Sequence, residues 1–418
     1  MTAFDAETLA QLKANQPAWR ASQMDAAFEV FKAMDEPTGA EEDWRYVDYD
    51  LPFASLAPAL GHGPQLAPGP FLDSVDDQEG HVLIVDGHVV SVDDAGGRVA
   101  TVSESAQLQF SSVPADHNKL AAAHSAFASD GVFIHVGEDE IMDSPLVVEV
   151  QGVTQDVASF PHISVSVGRN AEAHVLVVYR SAEGARLLMV PEINLEVADG
   201  GRLRFVSVQG IEQAASIVVH QRMTLARDAT GRLGEVGLGG DLGRLDLGVN
   251  LVGDGSSAET VGVYFGEGRQ TLDYRMLISH SGRSTSSDVF LKGAVEDDAQ
   301  SVFTGLLRIE KDAQKTSTFE TNRNLVLSEN AKAHSVPNLE ILCDDVVCGH
   351  ASSVGPLEEE HLYYLQSRGL SKERAERLLI KGFFQEVVDR LPIDGVKGPV
   401  SEEVFRRFVT AQEEGRVA

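Results

Sequence analysis

Cysteine is almost absent, with two thiols in 418 residues. That is too few for a disulfide framework and, taken alone, for the four-ligand shell of a structural zinc centre. Long apolar runs are missing as well, so no segment can cross a bilayer as a helix of about 20 residues. The opening stretch MTAFDAETLAQLKANQ has no basic cluster followed by an apolar one. It therefore lacks the pattern of a secretory signal and points to a reducing cytoplasm. Basic residues are scarce, 34 against 64 acidic ones for a formal charge of −30. With no basic patch set apart from this excess, the chain is expected to repel nucleic acid and anionic membranes. No Walker lysine motif, G-x-S-x-G elbow or strand-linked G-x-G-x-x-G occurs, so neither nucleotide hydrolysis nor serine-ester chemistry is expected.

What is present is a 43% hydrophobic chain, ample for a large core. Its pattern divides into residues 1–80 (helical region and linker), 81–355 (β core) and 356–418 (helical domain). Residues 5–34 read as helix, with Met24, Phe28 and Phe31 forming one apolar stripe that docks on the body of the protein. Pro37 and Gly39 break the pattern, and Trp44, Arg45 and Tyr46 follow as a packing anchor. Residues 56–70, rich in proline and glycine, read as a loop or flexible linker.

From His81 onward the chain turns to short strands, opening with HVLIVDGHVVSV, where Asp86-Gly87 between apolar runs signals a hairpin. Runs of five to nine residues continue from LVVEV at 146 to SVFTGLLRI at 301, separated by Gly, Asp, Asn and Ser. No segment of helical period interrupts them. A parallel β-helix accounts for such persistence better than a sandwich or barrel, although no strict repeat period is visible. In that reading the glycines of GEVGLGGDLGRLDLG sit at tight turns, and the terminal helical segments cap the open ends. Near the carboxy terminus Gly369 ends one helix and Ser371 caps the next. Its stripe of Leu378, Leu379, Phe383, Val387 and Val388 is rimmed by Arg374, Arg377, Lys381 and Arg390. Such a helix lies on its own β domain or docks a partner.

The strongest chemical signal is the run at residues 337–355, PNLEILCDDVVCGHASSVG, which holds both cysteines and a histidine. On a strand Cys348 and His350 share a face, while Cys343, at odd separation, points away and reads as a small core hydrophobe. A thiolate beside an imidazole is half a site for zinc, copper(I) or an iron–sulfur cluster, the remaining ligands coming from elsewhere or from another chain. Two other classes compete. A polysaccharide-acting β-helix enzyme would use Asp344 and Asp345 as its acid pair, but adjacent strand residues face opposite ways. A plain structural or homodimeric scaffold would leave His350 merely buried.

The segment SVPNLEILCDDVVCGHASSVGPLEEEHLYYLQSRGLSKERAERLLIKGFFQEVVDRLP resembles the carboxy-terminal signature of the SufB/SufD family of iron–sulfur assembly proteins. AQKTSTFETNRNLVLSENAKAHSVPNLE and DYRMLISHSGRSTSSDVFLKG resemble it too, as does HSAFASDGVFIHV more loosely. EEDWRYVDYDL is similar to a signature of the SufD branch, and alignment puts Asn322 where a SufB-type protein would carry its assembly cysteine. The run His350-Ala351-Ser352-Ser353 departs from the usual H-G-A-T but keeps the histidine.

The resemblance implies a mainly β fold, a right-handed parallel β-helix solenoid flanked by helical domains at both termini. It implies a noncatalytic scaffold subunit of an ATPase-driven complex. That subunit would pair with a SufB-like paralogue, and its carboxy-terminal helices would bind a SufC-like ABC-type ATPase. A transient nascent iron–sulfur cluster would form at the paralogue interface, with His350 and Cys348 as this chain's ligands, and none would be held tightly by the isolated chain. A SufB-type paralogue is the alternative within the family. An isolated chain with an open β edge is also free to pair with itself.

Overall fold

The computed structural model describes residues 3–47, 53–73, 75, 77–94, 96–102 and 112–414. Alternating apolar residues make strands, and the strands stack into two sheets of 12 and 10 members. Chain order alternates between the sheets, so each coil contributes one strand to each wall of a β-solenoid. Pairing is parallel through the body. The antiparallel pairs lie at the amino-terminal end, where Gly80–Val85 meets His88–Asp94 and Val99–Thr101 meets Val132–Val136. Asp86 and Gly87 both take left-handed φ, the geometry of a two-residue hairpin turn.

Register shows why no period was visible in the sequence. Arg202 pairs with Thr230, Thr230 with Ser257, Ser257 with Ser286 and Ser286 with Ser317, so the coils are 28, 27, 29 and 31 residues long. One corner of each coil carries a left-handed residue: Asn170, Gly200, Asp228, Gly255, Ser284 and Lys315. Their N–H groups donate up the stack to the carbonyls of Asp199, Arg227, Asp254, Arg283, Gln314 and Asp345 at 2.6–3.0 Å. The repeat is conformational, and its residue types differ from coil to coil. The glycines of residues 234–248 correct an expectation. Gly234, Gly237, Gly243 and Gly248 lie inside strands, and Gly240, with φ +86°, takes the turn.

The helices are α1 (Ala6–Lys13), α2 (Ala18–Ala33), the one-turn α3 (Pro70–Asp73), α4 (Lys119–Phe127), α5 (Glu359–Ser367), α6 (Lys372–Val388) and α7 (Lys397–Glu413). The expected single helix over 5–34 is thus two, because Pro17 cannot continue a helix and stands at the start of α2. Met24, Phe28 and Phe31 are buried as expected, packing with Phe4, Phe127 and Phe160 on the outer face of the 12-stranded sheet. On the opposite wall Ile380, Phe384, Val387, Val388 and Phe408 cover outward valines of the 10-stranded sheet. Both helical groups therefore lie along the sides of the solenoid. The expectation that they plug its ends does not hold, because apolar outward rows on both sheets draw them to the flat faces. Residues 56–70 are a loop but no free linker. Ala57–Pro58 pairs with Val157–Ser159, and the Gly63 and Leu66 N–H groups donate to Asp86 and Gln151.

The anchor at Trp44 is a strap across several coils. Trp44 is buried with the Arg244 guanidinium 4.0 Å from its ring centre. Arg244 pairs with Asp273 and donates to the Asp43 carbonyl at 2.8 Å. Arg275 meets the Asp43 carboxylate at 2.5 Å, Gln300 donates to the Tyr46 carbonyl, and the Tyr46 ring stacks on His334. The rest of the EEDWRYVDYDL signature, residues 48–51, lies outside the described residues.

Burial raises the Asp273 carboxyl, against the opposing pull of Arg244. Arg244→Leu alone leaves that carboxylate buried without its direct partner, with only Arg275 acting on it, and should cost about 3–5 kcal/mol. Adding Asp273→Leu should recover much of the loss. Thermal melts of the single and double variants check this.

Candidate functional site: the open end of the solenoid

The strand Thr316–Val326 pairs in parallel with Val346–Gly355, the last strand of its sheet. Thr318, Glu320, Asn322 and Asn324 are all buried, which identifies their row as the one facing the lumen. Register puts Cys348 on Thr318, His350 on Glu320, Ser352 on Asn322 and Val354 on Asn324. Cys348 and His350 therefore share a face as expected, and that face is the inward one. His350 is nevertheless exposed and Cys348 half-buried, because no further coil follows. On the other wall Lys332–Ile341 is the terminal strand, and its inward Leu339 and Ile341 pair with buried Leu307 and Ile309. They are 38% and 39% exposed, and Val354 is 45% exposed. The end of the solenoid is thus an uncovered core cross-section, apolar at its rim with a thiol and an imidazole within it.

Cys343 is buried, as expected, though for another reason. It lies in the turn before the last strand, so strand alternation does not govern it, and it packs with Ile309, Ala313 and Val346. Cys348 packs against the same cluster, so the two thiols are neighbours of one apolar corner. Asp344 and Asp345 occupy this turn and are exposed, so they too are not on a strand.

Beneath the open end the lumen is polar. Asn322 donates to the Tyr264 hydroxyl at 3.1 Å, Tyr264 donates to Asn324 at 2.5 Å, and Asn324 donates back to Asn322 at 2.6 Å. Burial pushes the Tyr264 phenol up to about 12. Deeper still, Glu235 accepts from Ser207 and Gln221, and burial raises it to about 7. Glu320 is 1% exposed, and neither of its oxygens has a hydrogen-bond partner among the described residues. Burial raises its carboxyl to about 8.

The carboxy-terminal stripe is divided by the structure. Val387 and Val388 face the solenoid with Ile380 and Phe384, whereas Leu378 is exposed and Leu379 and Phe383 are half-buried. These last three line a cavity of about 810 Å³ between α6 and the last strand. The basic rim is also divided. Arg390 is pinned to Glu259 and Asp288 of the solenoid, and Arg377 to Glu413. Helix α5 buries no residue and presents Tyr363, 75% exposed, and Tyr364.

Two groups that sequence reasoning missed lie on the outer face of the 12-stranded sheet. His117, His220 and Asp246 converge there, with Asp246 accepting from His117 at 2.7 Å and pairing with Arg222. These contacts hold Asp246 far below the usual range despite burial, and burial pushes His220 down to about 3. His124, His162 and Glu192 form a second, wholly buried group, with His124 3.2 Å from Glu192. His117 and His124, one on either side of the start of α4, were the available signal. Neither group includes His350 or Cys348.

Glu320 generates a pH prediction. Its folded-state value lies above the ordinary 4.5, so its contribution is fully present below about pH 4.5 and is lost as pH rises through about 8. Relative to the parent, Glu320→Gln should gain on the order of a few kcal/mol between pH 5 and 8. Melts across that range should show the two curves diverging, and parallel curves would contradict the assignment.

Comparison with known proteins bears on this geometry. Residues 150–383 match the family model for the SUF system FeS cluster assembly SufBD core domain. The chain is 33% identical over 383 residues to an iron–sulfur cluster assembly SufBD family protein of Mycobacterium leprae, covering 89% of this chain and 90% of that one. It is 32% identical over 301 residues to the iron–sulfur cluster assembly protein SufD of Bacillus subtilis, covering 71% and 68% of the two chains. It is 26% identical over 382 residues to SufD of Escherichia coli, covering 89% of each. The match spans the stacked coils, the terminal strands with Cys348 and His350, and most of α6, and on it the chain belongs to the SufBD family of SUF-system iron–sulfur cluster assembly proteins.

Proposed function

We propose that this chain is the SufD-type, noncatalytic subunit of an ATPase-driven assembly complex. Its open end meets a SufB-like paralogue, and a nascent iron–sulfur cluster forms at that interface with His350, and Cys348 beside it, as this chain's ligands. The observation that carries the reading is an exposed imidazole on the inward row of an uncovered last coil, whose other inward residues Leu339, Ile341 and Val354 are exposed with it. Unpaired strand edges and exposed core side chains favour a second solenoid end as their cover. Neutral imidazole is a labile ligand for iron, suited to a cluster that must be handed on to apoproteins. Asn322, buried and bonded to Tyr264, offers no thiol, which supports the SufD reading over a SufB-type one. An isolated chain would cover the same end with a second copy. Two free thiols fit work in a reducing cytoplasm, and no described helix is long and apolar enough to cross a membrane.

The seat for a SufC-like ABC-type ATPase is the outer side of α5 and α6, where Tyr363, Tyr364 and Leu378 are exposed. Deleting this region would strip the apolar wall beneath α6, so point changes are the better probe. Tyr363→Ala with Leu378→Asp should weaken ATPase binding at least about ten-fold by calorimetry while leaving the melting temperature unchanged. Equal affinity would reject the surface.

For the cluster site, His350→Ala should leave folding and complex formation intact but sharply reduce cluster assembly in the full complex after anaerobic reconstitution. Cys343→Ala should instead cost about 1 kcal/mol with assembly retained. A His350→Ala protein that melts early yet assembles clusters normally would make this histidine structural.

A further inference from the structure

Glu320 is the most costly unexplained group in the lumen. A carboxyl removed from water without a hydrogen-bond partner is expensive, and native interiors rarely leave one so. Among the described residues, both of its oxygens lack a hydrogen-bond partner and no salt bridge reaches it. The chain nonetheless makes room for it. A Cβ on Gly305, across the lumen, would fall 2.1 Å from Glu320 Oε2, so the carboxyl as placed occupies the space that the glycine leaves and would have to shift for any larger residue. Glu320 is also the register neighbour of His350, one strand spacing of about 4.8 Å below it on the same inward row. The carboxyl and the imidazole thus belong to adjacent coils of one inward row, the first buried against Gly305 and the second exposed at the open end.

We infer that Glu320 is a second metal-binding group of this chain, which with His350 takes up one ferrous ion at the open end of the solenoid before a cluster is built. Carboxylate oxygen with imidazole nitrogen suits a borderline divalent cation such as Fe2+, with water or groups from a facing chain completing the shell. A bound cation supplies the countercharge that the lumen lacks, and the ion's arrival turns an unfavourable buried acid into a ligand. The acidic excess of the chain favours cation approach. This inference rests on the proposed role of His350 and extends it to an inner position.

The test is anaerobic calorimetric titration of the full chain with Fe2+ alone, run on the parent, Glu320→Gln and His350→Ala, with melts to confirm folding. The parent should bind close to one ion, and both variants should bind at least ten-fold more weakly. Gly305→Ala, which crowds the carboxyl without altering a ligand, should weaken binding as well. A parent that takes up no Fe2+, or Glu320→Gln binding with the parent's affinity, overturns the inference. The same three proteins are then assayed for cluster formation in the full complex. Loss with His350→Ala but unchanged iron binding in Glu320→Gln rejects the inner ligand and leaves the proposed function standing. Normal assembly by His350→Ala rejects the proposed cluster site itself, whatever Glu320 does.

Discussion

Each coil of the solenoid satisfies its strand N–H and C=O groups through the coil before it and the coil after it. In-register parallel stacking is the constraint from which the other features follow. It aligns side chains into rows that run the length of the molecule, such as Phe205, Leu233, Thr260, Val289, Glu320 and His350. It also means that the last coil has a neighbour on one side only. Residues that would be core in any earlier coil, Leu339, Ile341 and Val354 among them, are surface there, and a histidine in a core row becomes reachable.

The walls of the stack decide where the helices go. Both sheets present apolar residues outward as well as inward, so α2 and α4 bury one face and α6 and α7 the other. Charged pairs fasten these layers at a few places: Arg244 with Asp273 under Trp44, and Lys292 with Glu386 at 2.5 Å beneath α6. The sides are thus covered by helices, while exposed apolar side chains remain at the bare end and on α5 and α6. An end-capping helix would have covered the first of these.

The interior carries a cost that stacking alone does not require. Glu235, Tyr264, Asn322, Asn324 and Glu320 occupy inward rows where Leu or Val would pack more stably. Glu235 and the tyrosine–asparagine group are satisfied by hydrogen bonds, whereas Glu320 is not. Polar side chains thus occur both in mid-lumen and beneath the open end, where chemistry with iron is proposed.

Local physics made much of this legible in the sequence. Period-two alternation identified the strands, Asp86-Gly87 the hairpin, Ser371 the cap whose hydroxyl receives the Arg374 N–H, and the two-residue spacing of Cys348 and His350 their common face. Motifs in the right order identified the family. Relations between coils were not legible, because they depend on stacking across 27 to 31 residues rather than on neighbours in sequence. The corner residue that repeats is an Asn, Gly, Asp, Gly, Ser or Lys, so left-handed φ recurs, mostly in the turn-forming types that separate the runs, without one residue type to mark the period. That Cys343 belongs to a turn, that α6 turns Ile380 and Phe384 inward, and that Glu320 lies beneath His350 thirty residues later were decided only when the coils packed. Sequence thus determined which residues alternate and which motifs are carried, while tertiary stacking decided which row they join and where that row meets solvent.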